Sequence, residues 1–228
     1  MSRRRHPSAG HTLRVLAASM LLAVAVPVLG HDAGGAAVSM RAPPAAAGDP
    51  VIAPSPKQRA AQIFFSDRRL LTQRGEEVAF YTDVLRDKVV LIDFIYTQCT
   101  DSCPTQTARL AQVQSLLGRR VGHGVSLISI SIDPEHDTPQ RLQDYAARFG
   151  AGDGWLFLTG SKANVDDVLR RIGQLTPTRE AHTTLFILGN VTTGHWMKLH
   201  PDAAPEEIAR RVLLLAGERI DAPRALQR

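Results

Sequence analysis

The segment at residues 89–117 constrains the fold of this chain more than any other part of its sequence. Val89–Ile95 is an almost continuous apolar run, which is typical of a strand buried on both faces of a sheet. The loop that follows carries Cys99 and Cys103, and Pro104 opens a pattern that predicts a helix to Leu117. A helix N-terminus favours thiolate over thiol, because its N–H groups and dipole present positive charge. We therefore expect a strand that delivers two thiols to a helix N-terminus, and we expect the function to lie there.

The rest of the sequence alternates strand and helix patterns, as an α/β domain requires. Further strands are predicted at residues 125–132 and 155–158, and further helices at 139–149, 161–172 and 205–215. Two hairpins are predicted at 70–72 with 76–81 and at 185–188 with 195–199, the second turning at Gly189 and Asn190. Alternating strands and helices build a largely parallel sheet covered on both faces. We predict a thioredoxin-like α/β fold, with a central mixed sheet flanked by helices and an extra N-terminal hairpin.

The N-terminal region is predicted to direct export rather than to fold. Residues 1–30 contain four arginines followed by a 16-residue run without charge at 15–30, and the chain can be cleaved after Gly30 or remain tethered as an anchor. Residues 31–61 are rich in Ala, Pro and Gly, and this composition favours a linker. The folded domain is predicted at 62–217, with a tail at 218–228. We expect a periplasmic protein, either soluble after cleavage or tethered to the inner membrane.

The basic composition of the chain belongs mostly to that export segment. The sequence has 27 Lys and Arg against 22 Asp and Glu, and removal of the four N-terminal arginines leaves 23 basic side chains. A formal charge near +1 does not indicate binding to nucleic acid or to an anionic membrane. We expect no nucleic-acid partner, and we expect a monomer.

The spacing of the two cysteines favours a functional pair over a structural disulfide. A ring of about five residues stabilises a fold by about 2 kcal/mol in the chain-entropy model, whereas about 15 residues would give about 3 kcal/mol. Two thiols on one face of a helical turn can chelate one ion or oxidise to a disulfide. Soft thiolates suit Cu(I) with one further ligand, whereas zinc would need a fourth ligand.

His182 is the candidate for the further ligand. It ends a polar loop just before an apolar strand pattern, and in a thioredoxin-like fold that loop lies beside the dithiol. Thr183 and Thr184 stand where a thioredoxin carries its cis-proline. Asp93, inside the buried strand, is a candidate proton acceptor for a thiol or a structural hydrogen-bonded carboxyl. His195, Met197 and His200 lie on a predicted strand edge that favours ordinary exposure over metal binding.

Two blocks of sequence resemble the Sco/SenC family of copper-binding cytochrome c oxidase assembly proteins. The first block is Asp93-Phe94-Ile95-Tyr96-Thr97-Gln98-Cys99-Thr100-Asp101-Ser102-Cys103-Pro104, and the second is Ser131-Ile132-Asp133-Pro134-Glu135-His136-Asp137-Thr138-Pro139. The resemblance covers about residues 62–217 and includes His182. Two features depart from the family: Ala181 replaces the acidic residue usual before the histidine, and the segment between Ile172 and His182 is shorter.

The resemblance implies a thioredoxin fold that binds one copper ion, Cu(I) or Cu(II), through Cys99, Cys103 and His182. It implies a copper chaperone for the dinuclear copper centre of cytochrome c oxidase, with the oxidase subunit that carries this centre as partner. Another periplasmic copper chaperone or a thiol reductant is a further expected partner. The alternative function is a thiol-disulfide oxidoreductase that reduces the cysteines of the oxidase copper site, with Cys99 as nucleophile and Cys103 as the second thiol.

Overall fold

The computed structural model describes residues 54–182 and 184–217. The predicted export segment, the linker up to residue 53 and the C-terminal tail lie outside the described residues. The helices are α1 Pro56–Phe65, α2 Ser102–Leu117, α3 Pro139–Arg148, α4 Lys162–Arg171 and α5 Pro205–Leu215. The strands are β1 Arg69–Thr72, β2 Glu77–Ala79, β3 Val89–Ile95, β4 Val125–Ser131, β5 Trp155–Thr159, β6 Phe186–Asn190 and β7 His195–Leu199.

The seven strands form one mixed sheet in the order β2-β1-β5-β4-β3-β6-β7. β3 runs parallel to β4, and β4 runs parallel to β5. β6 pairs antiparallel with β3, and β1 pairs antiparallel with β5. The N-terminal hairpin thus extends one edge of the sheet and the C-terminal hairpin extends the other. The predicted thioredoxin-like α/β fold is confirmed.

β3 lies at the centre of the sheet, and every residue of it is buried. Leu91 and Ile95 belong to a core that includes side chains of α2, α3 and α5, whereas Val90, Ile92 and Phe94 belong to a second core with side chains of α1 and α4. This alternation is why the sequence run is apolar at both odd and even positions. Asp93 is the one charged residue in β3 and is fully buried.

α1 begins at Pro56, within the residues that the sequence analysis assigned to the linker. Ser55 caps it, the Gln58 N–H donates to the Ser55 hydroxyl, and the Gln58 side chain accepts from the Ser55 N–H. This capping box with proline in the first turn was readable in the sequence. The prediction was wrong here because the apolar content of residues 56–61 is low, while the helix is set by its cap and by Phe65 in the core.

The C-terminal hairpin turns later than predicted. Gly189 and Asn190 end β6, and residues 191–194 form the turn. A side chain at position 189 would collide with the indole of Trp196, since a Cβ there would lie 2.1 Å from a ring carbon. Gly189 therefore serves close packing within the strand rather than a turn.

β2 is likewise shorter than predicted, because Phe80–Leu85 forms a π-helical turn that buries four apolar side chains. Among the described residues, no helix combines the length and the apolar character needed to cross a bilayer.

Candidate metal centre

The connection from β3 to α2 brings the two predicted thiols together. α2 begins at Ser102, so Cys103 lies in its first turn and Cys99 lies just before the helix. The backbone N–H of Cys103 donates to the Cys99 sulfur over 3.4 Å, and the Cys99 N–H donates to the Tyr96 carbonyl. Both cysteines are free thiols, 7% exposed at Cys99 and 1% at Cys103. Helix α2 thus presents its positive end to sulfur, as predicted, although Pro104 occupies its third position rather than its first.

The pKa values of the two thiols are shifted in opposite directions. Burial raises the pKa of Cys99, but hydrogen bonds from the Cys103 thiol, the N–H groups of Cys103 and Asp101, and the Tyr96 hydroxyl outweigh it, so the pKa is lowered. Burial raises the pKa of Cys103 strongly, and its hydrogen bond to Cys99 raises it further. Cys99 is therefore the more acidic thiol of the pair, and Cys103 holds its proton more tightly. This asymmetry supports the assignment of Cys99 as the nucleophile in thiol chemistry.

His182 is held in one defined orientation. Its Nδ1 lies 2.6 Å from the carbonyl oxygen of Arg179. A carbonyl only accepts, so Nδ1 carries a hydrogen and, in the neutral ring, Nε2 carries the lone pair. Nε2 is buried and has no hydrogen-bond partner. The ring contacts Tyr96 edge-on, with centroids 5.7 Å apart. A metal-binding histidine commonly donates its other N–H to a carbonyl or carboxylate in this way.

Tyr96 connects the two parts of the predicted site. Its hydroxyl hydrogen-bonds to the Cys99 sulfur, and its ring contacts the ring of His182. Within residues 54–182 and 184–217, however, no three His, Cys, Asp or Glu side chains converge at metal-ligand distances. The structure thus pairs the two thiols and places His182 against Tyr96. The buried, unpartnered Nε2 and the two soft sulfurs are a donor set that fits Cu(I).

Asp93 lies below the dithiol, on the buried strand that leads to it. Its Oδ1 accepts a hydrogen bond from the Ser129 hydroxyl at 2.6 Å, and the Trp155 indole donates to the same hydroxyl oxygen. Its Oδ2 has no partner. Burial raises the pKa of Asp93 to about 7, and its negative charge raises the pKa of Cys103. Asp93 is therefore both a hydrogen-bonded structural carboxyl and a group that titrates near neutrality.

The Asp-Pro loop after β4 holds the start of the cysteine loop in place. Asp137 accepts hydrogen bonds from the N–H and the hydroxyl of Thr97, and from the hydroxyl of Ser131. Thr138 caps α3, since its hydroxyl accepts from the backbone N–H of Arg141. The contact of Asp137 with Thr97 joins positions 40 residues apart, so no local sequence pattern predicts it.

Arg179 is a site residue that the sequence analysis missed. Its guanidinium donates to Oδ2 of Asp133 at 2.7 Å and lies over the ring of Tyr96, 5.6 Å from the centroid. His136 contacts the other oxygen of Asp133 at 2.8 Å. A lone arginine in a polar loop carries no sequence signal for such a role, because both partners come from other parts of the chain.

The histidines of the C-terminal hairpin join no group of three possible metal ligands among the described residues. His195 and His200 are exposed, and the Met197 sulfur lies 4.0 Å from the Arg211 guanidinium. His182 and His200 both line one open cavity of about 500 Å³. His195 and His200 are thus exposed, as expected for this strand edge.

Comparisons with known proteins agree on one family. The SCO1/SenC family model matches residues 56–215. The SCO1 protein homolog of Bacillus subtilis is 37% identical over 97 residues, covering 42% of this chain and 49% of that protein. The chain thus spans about half the length of the curated relatives it matches.

Two solved structures agree with this fold. The copper-bound ScoI of Bradyrhizobium japonicum has a TM-score of 0.55 and 28% identity, covering 66% of this chain and 98% of that one. BsSco, described as a member of the Sco family of cytochrome c oxidase assembly proteins and as having a disulfide switch, has a TM-score of 0.57. It is 26% identical, covering 68% of this chain and 94% of its own.

Proposed function

Because the chain belongs to the SCO1/SenC family, we propose that it is a copper chaperone for the dinuclear copper centre of cytochrome c oxidase. It binds one copper ion through Cys99, Cys103 and His182. Copper is the cargo of the protein, and the oxidase subunit that carries the copper centre is the acceptor. The copper-bound ScoI structure supports the choice of metal.

One observation carries this proposal: Tyr96 hydrogen-bonds to one of two adjacent thiols at a helix N-terminus and contacts the ring of a histidine whose buried Nε2 has no partner. Copper would bind to both sulfurs as thiolates, displacing any proton they carry, and to the lone pair of His182 Nε2. Ligation by all three groups needs the His182 ring to approach the sulfurs, because the three groups do not converge as they stand. The Nδ1 hydrogen bond to the Arg179 carbonyl keeps the correct nitrogen free for this step.

A competition titration with a Cu(I) chelator tests the ligand set. We expect one copper ion per reduced chain, and we expect Cys99→Ser, Cys103→Ser and His182→Ala each to weaken binding by more than about tenfold, the loss typical of an outer-shell change. His200→Ala is the matched control, since this histidine lines the same cavity as His182 but is exposed and is not one of the proposed ligands. Unchanged affinity in His182→Ala would disprove the three-ligand site.

A second function, a thiol-disulfide oxidoreductase, is favoured by the lowered pKa of Cys99 beside the raised pKa of Cys103. In this reaction the Cys99 thiolate attacks one sulfur of an acceptor disulfide, and the other sulfur leaves as a thiolate that takes up a proton. The Cys103 sulfur, losing its proton, then displaces the second acceptor thiol and forms the Cys99–Cys103 disulfide. Two electrons pass to the acceptor, whose two sulfurs gain one proton from Cys103 and one from water. The disulfide switch described for BsSco supports this chemistry.

Oxidase activity in a deletion strain distinguishes the two functions. A chaperone speeds metal supply, so added copper should restore activity by mass action. A dedicated reductase should be replaced by an added small-molecule thiol and not by copper. We expect rescue by copper, whereas rescue by the thiol alone would favour the reductase, and normal activity without either addition would remove the link to the oxidase.

We place the protein in the periplasm, soluble after cleavage or tethered by residues 1–30. The basic and then apolar N-terminus supports export. Further partners are another periplasmic copper chaperone or a thiol reductant. Fractionation of cells that produce the full chain would test the location, and recovery in the cytoplasm would contradict it.

A further inference from the structure

Arg179 connects the loop of His182 to two other parts of the site. Its guanidinium reaches back 46 residues to the Asp133 carboxylate at 2.7 Å. The same guanidinium lies over the ring of Tyr96, and the backbone carbonyl of Arg179 accepts from Nδ1 of His182. One residue therefore contacts the Asp-Pro loop, the aromatic ring beside Cys99 and the candidate histidine ligand.

The ion pair between Arg179 and Asp133 is partly buried. The Asp133 side chain is 10% exposed, and the Arg179 side chain is 37% exposed. The Asp133 N–H donates to the Ser131 hydroxyl, which fixes the aspartate at the end of β4. Charge-assisted hydrogen bonds at partly buried sites are stronger than those between exposed side chains. Asp133 thus offers the loop of His182 a rigid attachment to the central sheet.

The segment before His182 needs such an attachment. It consists of turns and a single 3-10 turn at Arg179–Ala181, with no longer element to hold it. Ala181, the neighbour of His182, has no polar side chain with which to orient the ring. The carbonyl of Arg179 supplies the acceptor that a neighbouring carboxylate would otherwise provide.

We infer that Arg179 is a positioning residue for His182: its ion pair with Asp133 and its contact with Tyr96 seat the loop so that the Arg179 carbonyl holds the Nδ1–H form of the histidine. Nε2 is then kept free and beside Tyr96. This inference rests on the proposed function only where it predicts an effect on copper affinity, because the orientation of His182 is a property of the metal-free protein.

The first test measures the metal-free full chain. Nitrogen NMR of the His182 ring distinguishes a hydrogen on Nδ1 from one on Nε2. We expect the Nδ1–H form to dominate in the parent protein and in the control Arg170→Gln, which removes an exposed arginine paired with Asp167. In Arg179→Gln we expect a mixture of both forms. A ring signal that is the same in Arg179→Gln and in the parent would overturn the inference.

The second test measures Cu(I) affinity by chelator competition and the nitrogen coupling to Cu(II) by electron paramagnetic resonance. Arg179→Gln should weaken Cu(I) binding about tenfold and reduce the histidine coupling. The Cu(I) affinity of Arg179→Lys should lie between those of the parent and Arg179→Gln. Lysine keeps the charge but lacks the planar guanidinium and its stacking on Tyr96. Arg170→Gln should match the parent.

A double variant separates positioning from general damage. If Arg179 acts through His182, Arg179→Gln should weaken copper binding no further in a His182→Ala background. An equal loss in both backgrounds would overturn the inference, since Arg179 would then act on the thiols or on the whole fold. If Arg179→Gln lost the Nδ1–H form and the parent bound no copper, the proposed function would be refuted and the positioning of His182 by Arg179 would be supported.

Discussion

Replacement of Asp93 by asparagine should remove a specific pH dependence of folding. The Asp93 carboxyl is fully buried in β3, and burial raises its pKa from 3.8 to about 7. The folded protein therefore holds this proton more tightly than the unfolded chain does. The stability that protonated Asp93 contributes is complete below pH 4 and is lost as the pH rises through about 7.

The size of this effect follows from the two pKa values. Each pKa unit corresponds to about 1.4 kcal/mol, so ionisation of Asp93 opposes folding by up to about 4 kcal/mol at high pH. Between pH 5 and pH 8 the loss amounts to about 3 kcal/mol. Asparagine keeps a side-chain oxygen for the Ser129 hydroxyl but cannot ionise. The Asp93→Asn protein should therefore gain about 3 kcal/mol over the parent on going from pH 5 to pH 8.

Urea unfolding of the reduced, metal-free proteins at the two pH values would measure this difference. Asp153→Asn is the control, because this variant also loses one carboxylate but at a fully exposed side chain. It should change stability little at either pH. If the parent and Asp93→Asn proteins showed the same pH dependence, the argument from burial and the unpartnered Oδ2 would be refuted.

Three further predictions concern the thiols and the packing. Oxidation to the Cys99–Cys103 disulfide should abolish high-affinity copper binding, because both sulfur donors are consumed, and equal affinity in oxidised and reduced samples would contradict this. Alkylation near neutral pH should be faster in Cys103→Ser, which keeps Cys99, than in Cys99→Ser, because burial raises the pKa of Cys103 and leaves it 1% exposed; mass spectrometry of timed samples measures the rates. Gly189→Ala should destabilise the fold by about 1–3 kcal/mol, because the added methyl would overlap the Trp196 ring; thermal unfolding compared with Gly173→Ala separates this clash from backbone strain, since Gly173 has a positive φ of 71° but open space around it.

The elements of this fold were predictable wherever their signals are local. Val89–Ile95 had to be a central strand because both of its faces are apolar. The helices α3 and α4 follow the caps Thr138 and Ser161, whose hydroxyls accept from N–H groups three residues later. The same local chemistry placed Cys99 and Cys103 between a strand and a helix. The α1 helix shows the limit, since its capping box was present in the sequence but its stability depends on Phe65 reaching the second core.

The sequence by itself determined the thiol pair, the strand that carries it and the candidate histidine, because each depends on residues close together in the chain. The tertiary structure decided how far the acidities of the two thiols differ: burial raises the pKa of Cys103 strongly, whereas the hydrogen bonds to Cys99 outweigh its burial and lower its pKa. It also decided the contacts of Arg179 with Asp133 and of Thr97 with Asp137, which join positions 46 and 40 residues apart. Such contacts form only when distant parts of the chain come together in the folded domain, so no local sequence pattern predicts them.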